Sequence, residues 1–195
     1  MSESILELFE GTGAYLRGHF RLTSGLHSGE YLQCAKVLAF PDYAEQLGKL
    51  LAAKISAWLG EARPQTVVSP AMGGIIIGHE VARALRARAI FMERDPDFNQ
   101  MTLRRGFEVA PGEEIIVIED VITTGGSTKE VVRAMRALEG KVFAAGSIID
   151  RSGGTADVSV PHVSLESLHP MTYAPDECPL CSAGIPVVKP GSRRT

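Results

Sequence analysis

Apolar side chains recur along this chain with two spacings, one typical of buried strands and one typical of amphipathic helices. Runs of β-branched and other apolar residues predict four strands, at 66–69, 88–93, 114–118 and 142–149. Apolar positions three and four residues apart predict three helices, at 43–59, 75–87 and 127–138. Strands that alternate with helices predict an α/β fold whose central sheet is mainly parallel and is flanked by helices.

The two ends of the chain follow other patterns. Strand-like segments at 14–22 and 30–35 flank a turn-rich stretch and predict a hairpin. A further strand is predicted at 162–168, before a proline-rich tail. The whole chain of 195 residues is predicted to form one domain with two appendages, a hood of about residues 1–40 and a tail of about 170–195.

The chain becomes polar at residues 94–102, which predicts a long mobile loop, and a strand is predicted after it at 103–109. Loops of this length inside compact domains are usually active-site lids or binding loops. Three arginines are therefore expected on or beside a lid, namely Arg94, Arg104 and Arg105.

Composition and charge change this picture little. The chain is 45% hydrophobic and 22% charged, as in an ordinary soluble protein, and its net charge of −3 does not indicate a nucleic-acid or membrane-surface binder. No apolar stretch approaches the roughly 20 residues that span a bilayer, and the N-terminus is unlike a signal peptide. Three cysteines do not make a disulfide framework, so a reducing cytoplasm is expected.

The segment 119–127 places two acids, several hydroxyls and two glycines between a predicted strand and a predicted helix. Glycines let a ligand approach the backbone, and a helix N-terminus favours a phosphate. Glu119 and Asp120 would repel a phosphate, so they suit sugar hydroxyls or a divalent metal. Such a combination is typical of a ribose phosphate site. Ser127 and Glu130 also predict a capping box for the helix.

Other phosphate-binding motifs do not fit. The nucleotide hydrolase loop requires a Gly-Lys pair in a loop before a helix, and the two Gly-Lys pairs of this chain lie inside or after predicted helices. The dinucleotide fingerprint requires a third glycine, and Leu16 stands in its place after Gly11-Thr12-Gly13. An ordinary strand-to-helix turn would explain the glycines, but it needs neither the two acids nor the two threonines.

Residues 116–127 resemble the donor-binding signature of the type I phosphoribosyltransferases, with acids, hydroxyls and glycines in the family's order. The resemblance implies that Glu119 and Asp120 bind the ribose hydroxyls of phosphoribosyl pyrophosphate (PRPP), and that Asp120 is catalytic. The 5-phosphate of PRPP would lie against Val121, Ile122, Thr123, Thr124, Gly125, Gly126 and Ser127.

The segment 18–28 with Tyr31 resembles the N-terminal part of the orotate phosphoribosyltransferase family, and Asp150-Arg151 falls where that family expects it. The resemblance extends over nearly the whole chain. It implies transfer of the phosphoribosyl group from PRPP to orotate, giving orotidine 5′-monophosphate and pyrophosphate in de novo pyrimidine biosynthesis. Arg151 would bind the orotate carboxylate, since a guanidinium pairs naturally with a carboxylate, and Thr123 would lie nearby.

The same resemblance implies the remaining parts of the site. Mg²⁺ would be carried by the donor pyrophosphate, with Asp120 as a candidate protein ligand. A homodimer is implied, in which the mobile loop of one subunit completes the site of the other, and no nucleic acid or membrane partner is expected. A pyrophosphate loop would be formed by Ala71, Met72, Gly73 and Gly74.

The chain departs from many family members in its lysines. No lysine occurs between residues 55 and 128, and Thr23 stands where a lysine often precedes Ser-Gly. Arginine supplies charge but does not donate a proton as lysine does. Three arginines are therefore expected to stabilise charge on pyrophosphate, or alternatively to be solvated surface charges: Arg94, Arg104 and Arg105.

Cys178 and Cys181 form a single C-x-x-C motif in the tail. Two thiols supply half of the four ligands that structural zinc requires. His169 upstream, or a second pair in a dimer, could complete a metal or redox site; the alternative is a turn with two free thiols. His27 is either a substrate contact or a polar loop residue.

Two other functions stay open. A purine phosphoribosyltransferase would keep the fold and the donor site, but purines have no carboxylate for Arg151. A donor-binding regulator of the same fold would bind nucleic acid, and the net charge of −3 argues against it. The base that is used as acceptor distinguishes the two enzymes, and the release of pyrophosphate distinguishes an enzyme from a regulator.

Overall fold

The computed structural model describes residues 4–22 and 24–190, so Thr23 lies outside the described residues. The chain divides into two compact units. Leu38–Leu168 forms the larger unit, and the described parts of Met1–Val37 and His169–Thr195 together form the smaller unit. The predicted hood and the predicted tail therefore belong to the same unit.

Helices and strands alternate through most of the chain. The helices are α1 (Ile5–Gly11), α2 (Cys34–Val37), α3 (Pro41–Leu59), α4 (Gly74–Leu85), α5 (Gly126–Ala137) and α6 (Pro179–Ser182), with a 3₁₀ turn at Pro175–Glu177. The strands are β1 (Tyr15–Arg21), β2 (His27–Leu32), β3 (Thr66–Pro70), β4 (Arg88–Arg94), β5 (Met101–Leu103), β6 (Glu114–Ile122), β7 (Lys141–Asp150), β8 (His162–Ser167) and β9 (Thr172–Tyr173). None of the described helices is long and apolar enough to cross a membrane.

A six-stranded sheet forms the centre of the larger unit, in the order β5-β4-β3-β6-β7-β8. All neighbouring strands are parallel except β4 and β5, so the predicted α/β fold with a mainly parallel sheet is confirmed. Strands covered on both faces require continuous apolar runs, and residues 115–118 of β6 are all fully buried. On α3, the buried residues Leu47, Leu51 and Ile55 recur every four positions and form one packed face.

The central strand β6 is longer than predicted, because its pairing with β7 continues as far as Ile122 and Asp150. Glu119 and Asp120 therefore lie within a strand and not in the loop after it. The strand is longer than predicted because the polar side chains of Glu119 and Asp120 do not interrupt its backbone pairing with β7. Both carboxylates gain a fixed direction from the strand, since successive strand residues point to opposite faces.

The start of α5 also differs from the prediction. Its N-cap is Gly125, in the left-handed region at φ 77°, and no described side chain caps the helix. The predicted capping box of Ser127 and Glu130 is wrong, because the Glu130 carboxylate instead accepts a hydrogen bond from the Met101 N–H at 3.3 Å.

The predicted lid region forms a short hairpin and not a long loop. β5 pairs with β4 in antiparallel register from Met92 opposite Leu103 to Arg94 opposite Met101. The turn between them is closed by Asp95, whose carboxylate accepts hydrogen bonds from two backbone N–H groups. The predicted strand at 103–109 is wrong, since Arg105 and the residue after it adopt positive φ and turn the chain away from the sheet.

The smaller unit is built on a three-stranded antiparallel sheet in the order β1-β2-β9. The predicted hairpin is confirmed, although β2 begins earlier than predicted, at His27. Residue Val188 of the tail joins the other edge of β1, where its N–H donates to the His19 carbonyl at 2.8 Å and its carbonyl accepts from the Arg21 N–H at 2.8 Å.

Candidate active site

Three loops follow neighbouring parallel strands, β3, β6 and β7, and lie beside one another at the carboxyl edge of the sheet. A Cβ atom added to Gly73 in the first loop would lie 2.5 Å from Oδ1 of Asp120 on β6. The N–H of Arg151 in the third loop donates to the Ile122 carbonyl at 2.8 Å. Ligands of open α/β sheets bind at this edge, so the predicted site residues of these loops share one place in the fold.

The loop after β6 presents groups that suit an anion. Thr123, Thr124 and Gly126 are exposed, and Ser127 is partly exposed. The first N–H groups of a helix have no partner within it, and no described side chain caps α5. These N–H groups, together with the helix dipole, favour a phosphate dianion.

Glycine is required at the turn itself. Gly125 has a positive φ of 77°, and a Cβ atom there would lie 2.8 Å from Cγ1 of Val158. Val121 is partly buried and Ile122 is buried, with 1% of its surface exposed. The side chains of these two predicted site residues therefore pack inside the protein, and only their backbone can face a ligand. The Ile122 carbonyl already accepts a hydrogen bond from the Arg151 N–H of the third loop.

The carboxyl group of Glu119 accepts a hydrogen bond from the Thr128 hydroxyl of α5. Burial raises the pKa of Glu119 to about 7; the bond from Thr128 opposes this shift and the neighbouring Asp120 adds to it. A carboxyl group with a pKa near neutrality changes its charge readily when hydrogen-bond donors reach it.

Asp120 lies on the other side of β6, against the backbone of Gly73. Burial raises the pKa of Asp120, and hydrogen bonds from the N–H groups of Val121 and of Asp120 itself oppose the shift. The carboxylate is partly exposed. It therefore lies at the junction between the loops after β3 and β6.

The loop after β3 brings backbone close to this carboxylate. The Ala71 N–H donates to the Met92 carbonyl at 2.7 Å, and the peptide bond between Ala71 and Met72 is cis. Met72 is 79% exposed. Gly74 begins α4, where a Cβ atom would lie 2.9 Å from the Ile118 carbonyl oxygen. Small residues are thus required by close packing in this loop.

The loop after β7 is organised by Asp150. Its carboxylate accepts hydrogen bonds from the Ser152 N–H at 2.7 Å, the Ser152 hydroxyl at 2.6 Å and the Gly154 N–H at 2.9 Å. Burial alone would raise the pKa of Asp150, but the bonds from Ser152, His162 and Gly154 lower it. Asp150 therefore fixes the turn that carries the partly buried Arg151, a role that the sequence analysis missed. The Asp-x-Ser-x-Gly spacing, typical of a side-chain-stabilised turn, is the signal that could have revealed it.

The three lid arginines have different surroundings. Arg105 forms two hydrogen bonds with Glu93, at 2.7 and 2.8 Å. Arg94 lies 3.1 Å from the carboxylate of Glu130 and also bonds to a backbone carbonyl. Arg104 is exposed, and its guanidinium forms no hydrogen bond or ion pair with any described residue, although its charge helps to lower the pKa of Glu93. Arg104 is therefore the most available of the three for a ligand.

Comparison with known proteins agrees with this geometry. Residues 37–181 match the phosphoribosyl transferase domain family. The orotate phosphoribosyltransferase of Pelotomaculum thermopropionicum is 52% identical over 98% of both chains, and that of Thermotoga maritima is 50% identical over 97% of this chain and 98% of its own. The chain belongs to the orotate phosphoribosyltransferase family. The fold is accordingly the type I phosphoribosyltransferase fold.

Solved structures extend the likeness to the fold. The orotate phosphoribosyltransferase of Aeropyrum pernix is 23% identical, with a TM-score of 0.68 over 83% of this chain and 92% of its own. An adenine phosphoribosyltransferase has a TM-score of 0.64 at 14% identity, over 81% of this chain and 98% of its own. Because enzymes that act on different bases share the fold, the fold does not select the acceptor, whereas the sequence likeness to the family does.

Proposed function

We propose that this protein transfers the 5-phosphoribosyl group from PRPP to orotate, releasing pyrophosphate and forming orotidine 5′-monophosphate in de novo pyrimidine biosynthesis. The observation that carries the proposal is the 52% identity to an orotate phosphoribosyltransferase over 98% of both chains. The geometry of the carboxyl edge supports it, because two carboxylates at the end of β6, the loop that follows them and an arginine after β7 lie on adjacent strands.

Residues 119–127, which we call the PRPP cradle, would bind the donor. The 5-phosphate would lie at the start of α5, within reach of the exposed hydroxyls of Thr123 and Thr124. The ribose hydroxyls would donate to Glu119 and Asp120. Hydroxyl donors favour the ionised carboxylates, so the raised pKa values of the free site would fall when PRPP binds.

Breaking the bond between C1 and pyrophosphate places positive charge on the ribose and negative charge on the leaving group. Carboxylates near the ribose and cations near the pyrophosphate stabilise this separation. Arg104 is the residue we assign to the leaving group, because its exposed guanidinium forms no hydrogen bond or ion pair with a described residue. The small residues of the loop after β3 would let backbone N–H groups approach the pyrophosphate.

Mg²⁺ is proposed as the cofactor. The ion prefers oxygen ligands, and the partly exposed Asp120 carboxylate beside Gly73 fits that preference. When bound with the donor, Mg²⁺ would neutralise charge on pyrophosphate.

Arg151 is proposed to bind the orotate carboxylate, with Thr123 close to the base. The turn held by Asp150 fixes the backbone of Arg151, and a preorganised guanidinium discriminates strongly for a carboxylate. A purine has no carboxylate to accept hydrogen bonds from this guanidinium, which disfavours purine acceptors.

Initial rates of pyrophosphate release with orotate, adenine, hypoxanthine, guanine and uracil test the acceptor, each with and without Mg²⁺. Orotate should give the highest kcat/KM, and removal of Mg²⁺ should abolish turnover. Faster turnover of a purine would overturn the proposal. Tight PRPP binding without pyrophosphate release for any base would favour a donor-binding regulator.

We also propose that the protein works as a homodimer in the cytoplasm, with a lid from one subunit completing the site of the other. None of its three cysteines forms a disulfide, which suits a reducing compartment. Mixing the variants Arg104→Ala and Asp120→Ala tests the shared site. Recovered activity in the mixture supports it, whereas a mixture no more active than its components contradicts it.

A further inference from the structure

A second group of chemically active side chains lies within the smaller unit. His19 on β1, His27 at the start of β2, and Cys178 and Cys181 at α6 form what we call the His–Cys cluster. One ligand atom from each residue lies within 4.8 Å of the other three. His19, His27 and Cys178 are buried and Cys181 is exposed, so the cluster is closed on most sides and has one side open to solvent.

The separations within the His–Cys cluster approach those of a metal centre. His19 Nε2 lies 2.9 Å from His27 Nδ1 and 3.5 Å from Cys178 Sγ. Cys181 Sγ lies 3.3 Å from His27 Nδ1 and 3.8 Å from His19 Nε2. A zinc ion bound tetrahedrally at about 2.0–2.3 Å from each ligand places the ligand atoms roughly 3.3–3.8 Å apart. Because the most distant ligand atoms of the cluster lie up to 4.8 Å apart, movements of up to about 1 Å would admit the ion.

The environment of His19 prepares its ring for metal binding. Nδ1 of His19 lies 2.7 Å from the Ile185 carbonyl oxygen. A carbonyl accepts a hydrogen bond and does not donate one, so Nδ1 carries the proton and Nε2 presents its lone pair to the other ligands. Metal-binding histidines are usually held in this way by a carbonyl or carboxylate on the second ring nitrogen.

The tail buries little apolar surface. Among residues 169–190, Cys178 is the one hydrophobic side chain that is buried, while Met171, Ile185, Val187 and Val188 are exposed. Units with a small apolar core usually need a metal or covalent links for stability. The His–Cys cluster joins the tail to both strands of the hairpin, which is where such a link would act.

We propose that His19, His27, Cys178 and Cys181 bind one Zn²⁺ ion in a structural site. Two thiolates and two imidazoles in tetrahedral arrangement select zinc over magnesium or calcium. On binding, each thiol gives its proton to solvent and forms a sulfur–zinc bond, while both imidazoles bind neutral, so the two negative charges balance the ion. Four protein ligands leave no open position for substrate, which assigns the ion a role in stability.

Metal content of the full wild-type chain gives the first test and needs no substitution. Protein expressed with zinc and then dialysed should contain about one zinc per chain by elemental analysis, as a closed four-ligand site predicts. Replacement by Co²⁺ should give the visible bands of tetrahedral cobalt and a thiolate charge-transfer band. A folded chain that binds no zinc, that contains iron in its place, or that carries a Cys178–Cys181 disulfide would overturn the proposal.

Substitutions give the second test. Cys181→Ser and His27→Ala should each weaken zinc binding, in competition with a chelator, by more than the roughly 10- to 100-fold that loss of an outer partner costs. The matched controls are Cys34→Ser, which removes a buried thiol of the same unit, and His169→Ala, which removes an exposed imidazole near the motif. Both controls should keep their zinc. Equal zinc affinity in Cys181→Ser and wild type would exclude the assigned ligands.

Discussion

The PRPP cradle of the larger unit and the His–Cys cluster of the smaller unit are assembled from different parts of the polypeptide. The cradle occupies nine successive residues, 119–127, and would bind the donor largely through backbone N–H groups, beside glycines that keep them accessible. The His–Cys cluster uses side-chain atoms alone, from positions 19, 27, 178 and 181. A site built from backbone leaves a continuous signature in the sequence, whereas a site built from side chains leaves scattered residues. Substitutions that add atoms, such as glycine to alanine, should damage the first kind of site, and substitutions that remove side-chain atoms should damage the second.

Asp120→Ala should have the largest effect. The carboxylate faces the loops after β3 and β6, so its loss should lower kcat/KM for PRPP about 100- to 1000-fold, as for other groups that stabilise developing charge. Zinc content should not change, because the cradle and the His–Cys cluster share no residue. Asp176→Ala, at an exposed aspartate, is the control. An unchanged kcat/KM would remove Asp120 from the donor site.

Arg104→Ala should have the second largest effect, a loss of kcat of about 100-fold, because its guanidinium is proposed to stabilise the leaving pyrophosphate. Arg105→Ala should cost less activity, because Arg105 is paired with Glu93. Arg133→Ala removes an exposed arginine elsewhere and serves as control. Steady-state kinetics in which Arg105→Ala is the more damaging variant would reverse the assignment.

Arg151→Ala should raise the KM for orotate about 10- to 100-fold, the cost of a lost charge-assisted hydrogen bond, and should change the KM for PRPP much less. Measuring both constants in the same assay separates acceptor binding from donor binding. Equal increases in the two constants would contradict the assigned contact with orotate.

Glu119→Gln should change the dependence of stability on pH. Burial raises the pKa of Glu119 from 4.5 to about 7, so the folded chain binds a proton more readily than the unfolded chain. Its contribution to stability is present at low pH and is lost as the pH rises through about 7. Relative to wild type, the variant should gain about 2 kcal/mol more in unfolding free energy near pH 8 than near pH 5.

Denaturant unfolding of both proteins at the two pH values measures this difference. Glu130→Gln, which removes a carboxylate from α5, is the control. Parallel pH profiles for wild type and Glu119→Gln would show that the carboxyl group ionises normally and would contradict the prediction.

Gly125→Ala should cause the smallest of these changes, a loss in the free energy of unfolding that comes from backbone strain and a steric clash. The left-handed backbone costs a non-glycine residue about 1–2 kcal/mol, and the added Cβ would lie 2.8 Å from Val158. Gly126→Ala is the matched comparison, because its Cβ would lie 3.6 Å from the nearest atom, the Thr124 hydroxyl oxygen. Thermal unfolding should show a lower Tm for Gly125→Ala than for Gly126→Ala, and the reverse order would contradict the requirement for glycine.

Local patterns predicted much of the larger unit. Apolar runs such as 115–118 identified the buried strands, and the four-residue spacing of Leu47, Leu51 and Ile55 identified α3. The end of β6 could not be predicted in this way, because pairing with β7 and not side-chain polarity carries the strand through Glu119 and Asp120.

The lid hairpin and the His–Cys cluster were missed for related reasons. The pairing of β5 with β4 places Met101 opposite Arg94, and this contact has no local sequence signal. The C-x-x-C motif showed two ligands, but His19 and His27 come from strands far away in sequence, so only the folded chain brings them together. The turn at Asp150 was readable from local spacing and was overlooked.

The smaller unit is formed by two stretches of chain that flank the larger one, and this arrangement determines an order of synthesis. β1 and β2 leave the ribosome early, but β9 and Val188, which complete their sheet, are made after every strand of the larger unit. Domains generally fold as their residues emerge, and a two-stranded hairpin alone is at best marginally stable in water. A released chain that ends before residue 172 would therefore contain every strand of the larger unit but an incomplete smaller sheet, whose unpaired strand edges favour aggregation.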